Sequence, residues 1–69
     1  MSTNMVLLRG KMEELHVSNE DMAMKIGVDA STFYRKMKSD GLNFTVGQMH
    51  KIVDVLKLTK EEATSIFLW

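Results

Sequence analysis

Arg35, Lys36 and Lys38 cluster within four positions of one another in a chain of 69 residues. Nine basic residues balance nine acidic ones, so the formal net charge is zero. That balance is a mild argument against a nucleic-acid partner, because domains that bind one are often basic. The distribution says more than the sum. Glu13, Glu14, Glu20, Asp21, Glu61 and Glu62 all stand away from the cluster, so the surface can be dipolar and still present one positive face. Other chemistries are poorly supplied. There is no cysteine, hence no thiolate metal site and no disulfide framework. His16 and His50 lie far apart, and neither has a carboxylate at the spacing of a zinc-binding HExxH helix. Serine, histidine and aspartate are present but in no nucleophile-elbow context. The expectation is a non-enzymatic chain with no metal and no cofactor.

The elements that position the cluster follow from apolar spacing. Met5, Leu8, Met12 and Leu15 recur at intervals of three and four, which predicts a first helix from Met5 to Leu15 behind a frayed start at residues 1–4. Ser18 with Asp21 resembles a capping box, and a second helix follows from about Asn19 to Ile26, with Met22, Ala23 and Ile26 inward. Gly27 ends it by supplying a left-handed residue. Asp29 can cap a third helix over about Ala30 to Lys38, held inward by Phe33 and Met37. Ser39-Asp40-Gly41 is a turn signal. Thr45 and Gln48 form a capping box for a fourth helix through Leu56, buried along Met49, Ile52, Val53 and Leu56. Thr59 and Glu62 repeat the device for a last helix with Ala63, Ile66 and Phe67 inward, ending at Trp69. Residues 1–69 therefore read as one all-α domain, a compact bundle of five short helices. The seven methionines suit an adaptable core, and 45% hydrophobic content is enough for one. A domain this small buries only about 60% of its unfolded surface, so its stability is marginal.

Ser18 to Lys38 carries the sharper signal. A tight turn at Gly27-Val28-Asp29 joins two short helices, small Ala23 permits a close crossing, and Ile26, Val28 and Phe33 anchor the angle. Those are the physical requirements of a helix-turn-helix. The strings NEDMAMKIGVDASTFYRKM and FTVGQMHKIVDVLKL resemble the lambda-repressor-like family of Cro/XRE type, over roughly residues 5–67. STFYRKM with FT a few residues later is similar to small regulators of phages and mobile elements. One position departs: three residues after Phe33 the family carries an aliphatic residue, and here Lys36 stands there with Met37 following.

The resemblance implies a sequence-specific, double-stranded-DNA-binding transcriptional regulator, a phage repressor or Cro-like protein, with its third helix in the major groove. Carried over by position, it puts Ala30, Ser31 and Arg35 nearest the bases, flanked by Thr32 and Tyr34. The chemistry agrees: arginine pairs with guanine O6 and N7, serine reads either base type, and a methyl group meets the thymine methyl. Asn19, at the start of the second helix, is expected on the DNA backbone, where free N–H groups suit phosphate. Lys36, Lys38, Asn43 and Thr45 are expected to add backbone contacts from the far side. Any homodimer has to form from the domain itself, and the apolar end Ile66, Phe67, Leu68 and Trp69 is the expected surface. The alternative is a protein-interaction module of the same fold, such as an antirepressor or regulatory subunit, which zero net charge favours. No apolar run approaches the ~20 residues of a membrane span. With no charged-then-apolar leader, the sequence reads as cytoplasmic.

Overall fold

Side-chain caps start the helices that begin at Met5, Asn19, Val46 and Lys60. The computed structural model describes residues 3–38 and 44–68, and they form five helices: α1 (Met5–Glu14), α2 (Asn19–Ile26), α3 (Ala30–Lys38), α4 (Val46–Leu56) and α5 (Lys60–Phe67). The Ser18 hydroxyl accepts the Asp21 N–H at 3.1 Å. Thr45 and Gln48 close a reciprocal box on α4, both bonds at 3.0 Å, and Thr59 with Glu62 does the same on α5 at 3.1 and 2.9 Å. Each bond satisfies an N–H that the helix itself leaves orphaned. The start of the chain is not frayed at Thr3 and Asn4. Thr3 is buried, the Asn4 side chain accepts the Leu7 N–H at 3.2 Å, and the Asn4 N–H donates to the Ile66 carbonyl at 2.6 Å, tying the chain to α5.

Four helices end on a left-handed residue: His16 after α1, Gly27 after α2, Lys57 after α4 and Leu68 after α5. The first three make the paired bonds of a Schellman motif, with Val17, Val28 and Leu58 donating back to the carbonyls of Met12, Ala23 and Val53. The turn at His16 corrects one expectation. Leu15 is exposed, because the chain reverses there and brings Val17 against the core in its place. The expected last helix also stops short, at Phe67, and Trp69 lies outside the described residues. So does the expected turn at Ser39-Asp40-Gly41. Only one of the four left-handed residues is glycine, and an L side chain there costs roughly 1–2 kcal/mol. Lys57→Gly is therefore expected to stabilise the domain by about 1 kcal/mol, raising Tm by about 4–8 °C. A circular-dichroism melt checks this, and a lowered Tm would contradict it.

The core is one cluster. Phe33, Phe67, Leu8, Met22, Ile26, Ile52 and Leu56 are its fully buried large side chains, and Val53 packs at its margin. Phe44 and Leu58, which stand outside the helices, are buried with them. Among the described residues no helix is long and apolar enough to cross a membrane.

Candidate nucleic-acid interface

The site begins at the turn between α2 and α3. Gly27 has φ +79°, a conformation L side chains rarely adopt. Its N–H donates to the Met24 carbonyl at 3.3 Å, and the Val28 N–H donates to the Ala23 carbonyl at 2.9 Å. The chain is thereby reversed within three residues. Ala23 is buried with 1% exposure, which lets α3 pack closely on α2. The Asp29 carbonyl then accepts the Phe33 N–H at 2.9 Å and opens α3. The packing of these two helices is compatible with a helix-turn-helix pair.

Phe33 and Met37 fix the rotation of α3. Both are buried, Phe33 completely, and its ring lies 5.8 Å from that of Phe44, tilted by 38°. Lys36 is half-buried beside them. Met37, and not Lys36, is thus the second inward anchor of α3. With those positions inward, Ala30, Ser31, Tyr34, Arg35 and Lys38 all face solvent. Thr32 is half-buried, and its hydroxyl accepts from the Arg35 guanidinium at 3.4 Å. This long, exposed bond is weak and leaves the guanidinium available to other partners. The Lys38 ammonium lies 5.0 Å from the centre of the Tyr34 ring, within cation–π range. Arg35, Lys36 and Lys38 occupy the last turn of α3, where a cation also complements the helix dipole.

The expected backbone-contact residues are dispersed. Asn19 is exposed at the first position of α2, but exposed Glu20 and Asp21 follow it in the same turn and oppose an anion there. Thr45 is exposed, and its hydroxyl oxygen and N–H both serve the α4 capping box. The Thr45 O–H remains as a donor. Asn43 lies outside the described residues. Two cations that sequence spacing did not single out also come to this region. Lys51 of α4 lies over the α2–α3 turn, its ammonium 3.9 Å from where a Cβ on Gly27 would stand. Arg9 of α1 donates to the Met37 carbonyl at 3.4 Å, near the end of α3. Only the packing of α1 and α4 places them, so periodicity within one helix holds no signal for either.

The expected dimer surface is corrected. Ile66 and Phe67 are inside the core, at 3% and 0% exposure, so neither presents the broad apolar surface expected of it. Leu68 is exposed, and Trp69 lies outside the described residues. Among the described residues no group of histidines and carboxylates is placed to hold a metal ion. No family model, curated protein or solved structure matches the chain.

Proposed function

We propose that the chain is a sequence-specific, double-stranded-DNA-binding transcriptional regulator of the lambda-repressor-like, Cro/XRE type, with α3 lying in the major groove. The observation that carries the reading is the outer face of α3. Five exposed residues there supply two cations, a hydroxyl, a phenol and a methyl group, and α3 contains no carboxylate. An α-helix about 10–12 Å across fits a major groove about 12 Å wide. In this reading Arg35 reads guanine, while Ser31, Ala30 and Tyr34 approach neighbouring base edges. Lys36 and Lys38 take phosphates, and Lys51 joins them across the turn. Asn19 contributes a side-chain hydrogen bond more than a charge attraction, given Glu20 and Asp21 beside it. The regulator acts in the cytoplasm by occupying an operator, excluding polymerase or contacting it. A protein-interaction module is the second reading, favoured by α2, where Met24, Glu20 and Asp21 are exposed together.

Salt dependence tests the reading. Four or so neutralised phosphates give a log–log slope of about −3.6, a loss of roughly 150-fold in affinity between about 50 and 200 mM salt. Fluorescence anisotropy with a labelled duplex measures it. An affinity that stays flat over that range would exclude duplex binding through this cationic face and favour the second reading.

A further inference from the structure

Between α1 and α5 lies an open groove of about 430 Å³, walled by Val6, Leu7 and Ile66 and floored by Gly10. Val6 is 79% exposed and Leu7 44%. Gly10 is the unexplained residue. It lies within α1 and is not among the residues with positive φ. A Cβ placed on it would meet nothing within 4 Å. Glycine in a helix interior costs about 0.5–1 kcal/mol relative to alanine, and nothing among the described residues fills the space that a side chain at Gly10 would take. A bare helix backbone on the floor of an apolar groove does, however, let a second backbone approach closely.

The rim states the charge of what approaches. Glu14, Glu61 and Glu62 line the groove with Lys11. The Lys11 ammonium sits 2.8 Å from Glu62 and 3.0 Å from Glu14. These carboxylates raise its pKa, and Lys11 in turn holds that of Glu62 below the usual range. Three carboxylates against one ammonium leave two negative charges in excess.

We propose that this groove docks an amphipathic helix of a partner protein, its apolar stripe on Gly10, Val6 and Leu7 and its flanking lysines or arginines on the acidic rim. A second copy presenting the same groove would oppose like charges, which disfavours an isologous dimer. The site does not depend on duplex binding by α3, which packs on α2.

The test uses the full chain and a synthetic Leu/Lys helical peptide of about four turns, with leucines on one face and lysines flanking them. A second peptide carries glutamate at the lysine positions. Nuclear magnetic resonance titration should show saturable shifts at Val6, Leu7, Gly10 and Ser65 with the lysine peptide, and binding at least about tenfold weaker with the glutamate peptide. Gly10→Leu fills the floor and should weaken the lysine peptide at least about tenfold, with Tm not lowered and duplex affinity unchanged. Several results would overturn the proposal: no binding of the lysine peptide, equal binding of both peptides, shifts centred elsewhere, or no effect of Gly10→Leu. So would a concentration-dependent dimer in sedimentation that Gly10→Leu dissociates, which assigns the groove to a second copy.

Discussion

Phe33→Ala is expected to leave the domain unfolded or nearly so at room temperature. Phe33 is fully buried, sits at the junction of α3 with the core, and pairs with Phe44 at 5.8 Å. Truncating a buried phenylalanine to alanine costs about 3–5 kcal/mol, and losing the paired ring adds about 0.5–1.5 kcal/mol. The core of a domain this small supplies only about 3–5 kcal/mol in total. The loss therefore equals or exceeds what there is to lose. Tyr34 is the control one position away. It is half exposed, and Tyr34→Ala should change stability by no more than about 0.5 kcal/mol. Thermal melts of the two variants measure the contrast. A Phe33→Ala melt that matches the wild type would show that α3 is not anchored as described.

That contrast was legible in the sequence because four-residue spacing inside α3 admits only one inner edge. Phe33 and Met37 define it, and the solvent face follows by elimination. The bounds of α2 were legible for a related reason: Ser18 and Gly27 carry local chemistry that starts and stops a helix whatever surrounds it. The same reasoning failed where the chain leaves helical periodicity. Leu15 continued the α1 spacing, yet His16 turns left-handed and sends Val17 to the core instead. Phe44 and Leu58 belong to no helix, so no stripe could mark them as buried. At the chain's apolar end, four consecutive hydrophobic residues suggested a surface, but Ile66 and Phe67 face inward on α5. Arg9 and Lys51 reach the site through packing of distant helices, which a single helical wheel does not contain.

The second large effect separates two cations on one helix. Arg35 lies about one and a half turns into α3 and is exposed, 3.4 Å from the Thr32 hydroxyl. Its planar fork matches guanine, and losing such a pair costs about 1–3 kcal/mol of discrimination. Lys38 is the last residue of α3 and rests against Tyr34. There the helix rises out of a groove toward the phosphates, where a point charge carries no sequence information. Arg35→Ala should therefore weaken a preferred site far more than random duplex. Lys38→Ala should weaken both about equally and lower the salt slope by about one unit.

The most direct measurement compares wild type and Arg35→Ala on a duplex selected from random DNA and on a scrambled duplex of the same composition. Wild type is expected to prefer the selected site, and Arg35→Ala is expected to lose about 5- to 150-fold of that preference, the equivalent of about 1–3 kcal/mol, while its melt is unchanged. An equal loss on both duplexes, or a wild type with no preferred site at all, would contradict base reading by α3.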